Sequence, residues 1–282
     1  MHYSRSLAGA AALVALSAPL AAQQVAVTDD ASRMHALHQH DAPVPSGLPT
    51  APRVAVVSDT VVYATIDGKE VRGFRSRPKD AKKDAPGLVV VHEWWGLNDN
   101  IRAATERLAG EGYVALAVDL YGGKVAPTPD SAAALMRAAG GNVAGNRTNL
   151  AAAIEYLRAA GAKKVGTIGW CFGGRWSLQA GLVGGSKVQA VVMYYGSPIT
   201  DPAQLQELQA PLLGLFGSQD GGIPIDSVKA MATALDKLGK NETVQFFDAG
   251  HGFANPSGRN YNAAAAEGAW KATTEFFTHY LK

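Results

Sequence analysis

Two runs of β-forming character, 60–66 and 70–75, stand on either side of Asp67-Gly68. β-forming runs of this length mark strands, and Asp-Gly tolerates the positive φ of a two-residue turn, so the pattern predicts an antiparallel hairpin. Beyond the hairpin, strands are expected at 88–92, 114–118, 165–169, 188–194, 212–217 and 243–247, of which 88–92, 188–194 and 212–217 read as buried apolar strands. Stretches of helical spacing separate them: 98–110, a run that ends in 147–160, a helix that opens at Gly173, 224–238 and 260–281. Strands that are apolar on both faces require cover on both faces, and parallel neighbours are linked only by crossovers. The prediction is therefore a three-layer α/β/α domain with a mainly parallel sheet, opened by the antiparallel hairpin. No internal repeat or coiled-coil heptad interrupts it.

The first fifty residues follow different rules. A short charged start with Arg5, an apolar run over 7–20 and the small residues Ala21 and Ala22 read as a secretory signal peptide over 1–22, removed on export to the periplasm or exterior. The run is shorter than a membrane span needs, and no second one follows, so no stable membrane insertion is expected after cleavage. Residues 23–52 carry Pro43, Pro45, Pro49, Pro52 and Gly47 without an evident apolar period, and are expected to form a disordered leader. The folded domain is placed at 53–282. His35, His38 and His40 lie in the leader without Cys or carboxylates at regular spacing, so they read as a solvated polar segment and not as a metal site.

Charge adds little. The chain has 26 Lys and Arg residues against 24 Asp and Glu, one of the basic ones being Arg5 in the signal. A near-neutral mature chain has no bulk field to recruit nucleic acid. Nothing in the pattern specifies an oligomeric state. Cysteine usage says more: an exported chain with one Cys cannot pair it internally, so Cys171 is either a small buried hydrophobe or a thiol kept for chemistry.

Its surroundings favour chemistry. Residues 165–174 run Val-Gly-Thr-Ile-Gly-Trp-Cys-Phe-Gly-Gly: a strand, a glycine two before Cys171, a glycine two after it, then a helix. This is the pattern of the α/β-hydrolase nucleophile elbow, with Cys where Ser is usual. A tight strand-to-helix turn crowds its own backbone, so positions 169 and 173 are expected to accept only Gly, and Gly174 lets the helix approach the sheet. Free N–H groups at the helix start stabilise negative charge on the sulfur, and the Phe172 N–H points where an oxyanion would develop.

A thiol nucleophile needs a base. With the signal, leader and last-turn histidines set aside, His92 and His251 remain. His251 sits in the glycine-flanked loop Asp248-Ala-Gly-His-Gly-Phe253, directly after the last expected strand. The orienting acid falls between nucleophile and histidine in this fold. Asp220, in Gly217-Ser-Gln-Asp220, follows a strand and precedes a helix; its rival, Asp226, falls in the first helical turn, where it complements the helix dipole. The segment Val91-His-Glu-Trp-Trp-Gly96 ends the first central strand, where the second oxyanion donor arises, which assigns that role to the Trp94 N–H. Glu93 beside a thiolate is chemically odd, since a carboxylate opposes ionisation of the sulfur. His92 and Glu93 also read as a strand-end polar pair.

Taken together, Val91 to Gly96, Val118-Asp-Leu-Tyr121, Gly169 to Gly174, Gly217 to Asp220 and Ala249 to Phe253 resemble the dienelactone hydrolase family from about Asp59 to the C-terminus. The resemblance implies an α/β-hydrolase fold and hydrolysis of a lactone or related ester, a small-molecule substrate, through an acyl-cysteine on a Cys171, His251, Asp220 triad with no cofactor. It also implies that Glu93 holds the resting thiol and swings away when substrate binds. One departure concerns the substrate: the family's carboxylate-clamping arginine, four residues beyond the histidine, is Asn255 here. Arg259 and Arg137 are the candidates to replace it. The adjacent Trp94 and Trp95 suggest an apolar or aromatic acyl group, and Trp95, Tyr121 and Phe253 are expected to line the substrate pocket. The alternatives are a carboxylesterase or thioesterase of other specificity, and a binding domain that retains the elbow without activity.

Overall fold

The structure, a computed structural model, describes residues 30–43 and 51–282. The signal peptide lies outside the described residues, as does part of the leader.

The hairpin forms as expected. β1 (Val56–Ile66) and β2 (Lys69–Pro78) pair antiparallel, and Asp67 and Gly68 both take positive φ, 51° and 74°, as a two-residue turn of the type that follows strand twist requires. β3 (Gly87–Val91), β4 (Val114–Val118), β5 (Val165–Trp170), β6 (Ala190–Tyr194), β7 (Leu212–Gly217) and β8 (Glu242–Phe247) are parallel, and the eight strands form one sheet in the order β1-β2-β4-β3-β5-β6-β7-β8. Every residue is buried in β3, β5, β6 and β7 and all but the first in β4, whereas β8, at the edge of the sheet, has no fully buried residue.

Helices cover both faces. α2 (Asp99–Gly110), α3 (Pro129–Gly141), α4 (Val143–Ala159), α5 (Phe172–Gly184), α6 (Pro202–Leu205), α7 (Ile225–Lys237) and α8 (Ala263–Leu281) connect or close the strands. The single helical run expected before residue 160 is two helices. Asn142 ends α3 and accepts from Gly145 N to start α4, the capping role that suits Asn better than a helix interior. Among the described residues no helix is long and apolar enough to cross a membrane.

One expectation fails here. Residues 30–38, placed in the disordered leader, form a helix (α1) docked on the domain: Ala31 and Met34 are buried to 0% and 2% exposure, and His38 to 8%. Ala31, Met34 and His38 recur at three and four residues, the spacing that puts them on one face. A helix this short is unstable alone and takes its stability from that packing. The place where it docks is the rim of the sheet at which β3, β5, β7 and β8 end.

Candidate active site

Each chemical group of the site leaves the carboxyl end of a parallel strand, the edge where open α/β sheets bind ligands. Cys171 follows β5, the Glu93-Trp94 turn follows β3, Asp220 follows β7 and His251 follows β8. Adjacent strands deliver the acid and the base, and the loops beyond them are zipped together: Ser218 N donates to Phe247 O at 2.7 Å and Gln219 N to Ala249 O at 3.0 Å.

The elbow is strained as the sequence requires. Cys171 has φ 54° and ψ −119°, outside the comfortable range of an L-residue. A Cβ on Gly169 would collide with the Gly173 carbonyl oxygen, and one on Gly173 would meet the Val91 carbonyl and lie 2.5 Å from that of His92. Gly174 lets α5 close on the Tyr194 carbonyl of β6. The turn is held by Cys171 N donating to Tyr194 O at 3.1 Å and Gly174 N to Cys171 O at 2.9 Å.

His251 and Asp220 meet at 2.7 Å between Nδ1 and Oδ2, both side chains fully buried. The other carboxylate oxygen, Oδ1, accepts from Gly222 N at 2.8 Å and Ile223 N at 2.9 Å, so the acid is locked before it orients the ring. That bond places the proton on Nδ1 and leaves Nε2 as the free face; among the described residues Nε2 has no hydrogen-bond partner. A ring nitrogen of His251 lies within 4.8 Å of Cys171 Sγ. Burial draws the imidazole down, but the Cys171 sulfur and the Asp220 carboxylate outweigh it and hold it up at about 10. Tyr195, on the loop after β6, backs the ring edge-on at 5.1 Å between centroids.

The backbone N–H groups of Phe172 and Trp94 donate to no backbone acceptor among the described residues. His92 is structural: its Nδ1 meets the Glu93 backbone carbonyl at 2.6 Å, its Nε2 accepts from Leu120 N at 3.2 Å, and burial keeps its pKa below the ordinary value. The polar pair weighed from sequence exists, but through the Glu93 main chain and not its carboxylate.

That carboxylate accepts from Asn255 Nδ2 at 2.7 Å, and burial pushes it up to about 7 against the pull of His251 and Asn255. The thiol points elsewhere, at Met34 Sδ of α1, 3.7 Å away. The resting contact that the resemblance implied between Glu93 and the thiol is thus replaced on both sides. Asn255 in turn accepts from Asn100 Nδ2 and Ser257 N, so Glu93 belongs to a polar network at the cleft wall.

A narrow cleft opens over the triad, with Cys171 and His251 in its wall. Trp94, Trp95 and Arg259 line it, while Arg137 faces outward from α3. Tyr121 and Phe253 do not reach it. Tyr121 is buried against His92 and Phe172, and Phe253, 0% exposed, packs between Tyr195 and Phe247 as core beneath His251. For Phe253 the reason is local geometry: the chain turns at Gly252, φ 75°, and the side chain that follows packs inward. The cleft wall also contains a residue the sequence reading set aside. His38 of α1 stacks near Trp94 and His251, with ring centroids 5.0 and 5.4 Å away.

Comparison with known proteins agrees with this geometry. The model of the dienelactone hydrolase family matches residues 71–281. The chain belongs to the dienelactone hydrolase family. Within that family, it is 30% identical over 275 residues to a protein of Escherichia coli K12 named "Putative carboxymethylenebutenolidase", covering 84% of this chain and 94% of the relative. It is 32% identical over 228 residues to "Protein usf" of Aquifex pyrophilus, covering 76% and 96%. A solved dienelactone hydrolase-like promiscuous phosphotriesterase from metagenomic libraries superposes with TM-score 0.75 at 25% identity, covering 81% of this chain and all of that one. The family fold accounts for the domain from β2 through α8; α1, which closes over its nucleophile, precedes the matched residues.

Proposed function

We propose that this dienelactone hydrolase-family protein hydrolyses a neutral lactone or carboxylic ester with an apolar or aromatic acyl group, through an acyl-cysteine. The observation that carries the reading is the triad geometry: His251 Nδ1 pinned to Asp220 at 2.7 Å, its Nε2 unpartnered, and the imidazole within 4.8 Å of a strained Cys171.

The chemistry follows from the parts. His251 takes the thiol proton, and the resulting imidazolium is stabilised by Asp220. The sulfur attacks the carbonyl carbon, and the charge that moves to oxygen is received by the N–H groups of Phe172 and Trp94. As the carbon–oxygen bond to the leaving group breaks, His251 returns its proton to that oxygen; in a lactone this opens the ring. Water then gives a proton to His251 and its hydroxyl to the acyl carbon, and the sulfur leaves with the proton restored.

Substrate preference is inferred from the walls. Asn255 is engaged with Glu93 and lacks the bidentate fork that a carboxylate-bearing lactone demands, whereas Trp94 and Trp95 offer aromatic surface. Arg259 reaches the cleft from an exposed position, where water weakens its hold on an anion. We also infer export, from the apolar run over residues 7–20 and the small residues after it; N-terminal sequencing of the mature protein would locate the cut.

The test is a panel of aryl esters and lactones with mass spectrometry of the quenched enzyme. An acyl adduct on Cys171 during turnover, lost together with activity in Cys171→Ala, is the expected result. Turnover near wild type in that variant would overturn covalent catalysis.

A further inference from the structure

Three buried groups converge above the elbow from separate parts of the chain: Cys171 Sγ from α5, and ring nitrogens of His251 and of His38 from α1, all within 4.8 Å of one another. The hydrolytic chemistry uses the first two and has no role for the third. Yet His38 is built in with care. Its Nδ1 is held by Asp41 Oδ2 at 2.7 Å, as the Nδ1 of His251 is held by Asp220 Oδ2 at 2.7 Å. In both rings the Nε2 is buried and has no hydrogen-bond partner among the described residues, with His38 only 8% and His251 only 2% exposed.

A buried imidazole nitrogen without a partner costs free energy unless something is bound to it. A carboxylate on Nδ1 is the arrangement that fixes the tautomer and raises the donor strength of Nε2 toward a metal ion. Two such imidazoles and one thiol make a mixed nitrogen and sulfur donor set suited to a borderline-soft divalent ion of tetrahedral preference, Zn²⁺ or Co²⁺. With metal–sulfur bonds of ~2.3 Å and metal–nitrogen bonds of ~2.0 Å, tetrahedral ligand atoms stand roughly 3.5 Å apart. The trio therefore has to close by about an ångström, which side-chain rotation of Cys171 and His38 supplies. The cleft that all three line leaves the fourth position open to water.

We propose that Cys171, His251 and His38 form a divalent transition-metal site in which α1 supplies the third ligand, so that the ion clamps this helix over the nucleophile and blocks hydrolysis. The ion replaces the thiol proton, which passes to solvent. Asp41 and Asp220 offset the net positive charge from the second rank. The site stands on donor geometry and holds whether or not the protein turns over esters.

Cobalt reports on it directly. Co²⁺ titrated into the full chain should bind one equivalent with a thiolate-to-cobalt charge-transfer band and the intense visible bands of a four-coordinate ion. Cys171→Ala should abolish the charge-transfer band. His38→Ala should weaken binding on the order of 100-fold, and Asp41→Asn by roughly tenfold through loss of the orienting carboxylate. Zn²⁺ should displace the cobalt and, in the wild type, suppress aryl-ester turnover relative to the chelator-treated enzyme. Absence of the charge-transfer band in the wild type would overturn the site, and equal cobalt affinity in wild type, His38→Ala and Asp41→Asn would overturn the part given to α1. An enzyme inactive in chelator but showing the band would sink the hydrolase reading and leave the metal site standing.

Discussion

Asn255 donates its amide to the Glu93 carboxylate at 2.7 Å across 162 positions of sequence, from the place where the family resemblance puts a substrate-clamping arginine. The side chain that would have read the substrate instead tethers a buried acid. The acid so held is pushed up to about 7 by burial, from an ordinary 4.5.

This has a consequence for stability. Between pH 4.5 and 7 the folded protein binds more protons at Glu93 than the unfolded chain does, so unfolding free energy falls as pH rises and the loss is complete above about 7. Glu93→Gln keeps the size and removes the titration. The variant should gain on the order of 2–3 kcal/mol relative to wild type between about pH 5 and pH 8. Urea midpoints across that range measure it; parallel curves for the two proteins would mean that Glu93 ionises normally.

Restoring the arginine tests the substrate assignment. Asn255→Arg puts a guanidinium on the cleft wall, where it can pair with Glu93 or with a substrate carboxylate. The ratio of kcat/KM for a carboxylate-bearing lactone over a neutral aryl ester is expected to rise by roughly tenfold. An unchanged ratio would locate specificity in some other part of the wall.

Much of this was legible in the chain. The apolar runs at 88–91, 190–194 and 212–217 were legible as buried parallel strands because a strand covered on both faces has no polar positions to alternate. The elbow was legible because its steric demand falls on neighbouring residues, Gly169 and Gly173, that a reader sees together. α1 was not, since nine residues cannot show that their cover comes from a sheet rim built by distant loops, Cys171 among them 137 positions from Met34; the weak signal was Ala31, Met34 and His38 at helical spacing inside a Pro-bounded segment. Phe253 was misplaced for the converse reason. Proximity to His251 in sequence does not reveal which way the side chain leaves a turn, and Gly252 sends it into the core.

Met34 is the residue through which α1 covers the thiol, with Sδ 3.7 Å from Sγ and the side chain buried. Met34→Ala opens that cover without touching the triad. Alkylation of Cys171 by iodoacetamide should accelerate by on the order of tenfold, with a cost of a few kcal/mol at most in stability, mainly in α1. Equal alkylation rates would show that reagent already enters by the cleft.

The elbow glycines bear a sharper prediction. In Gly173→Ala the added methyl meets the Val91 and His92 carbonyl oxygens, which belong to backbone fixed by the sheet. Nothing flexible can yield, so the variant should lose several kcal/mol or fail to accumulate as folded protein. A denaturation midpoint within error of the wild type would mean that the turn relaxes in a way its packing does not suggest.

The two oxygens of Asp220 do different jobs, and one substitution separates them. Oδ1 accepts from the Gly222 and Ile223 N–H groups, and Oδ2 accepts from His251 Nδ1. In Asp220→Asn the amide oxygen can keep both backbone bonds, so the turn survives and the amide nitrogen falls opposite Nδ1. An NH₂ there is a donor, which forces Nδ1 to be the acceptor and puts the ring proton on Nε2, the face that must accept from Cys171. The base is thereby present, in place and in the wrong tautomer. Turnover should fall on the order of 10³- to 10⁴-fold while the thermal midpoint moves by only a few degrees. A similar fall in both would mean that Asp220 serves the loop more than the imidazole, and activity near wild type would remove it from the triad.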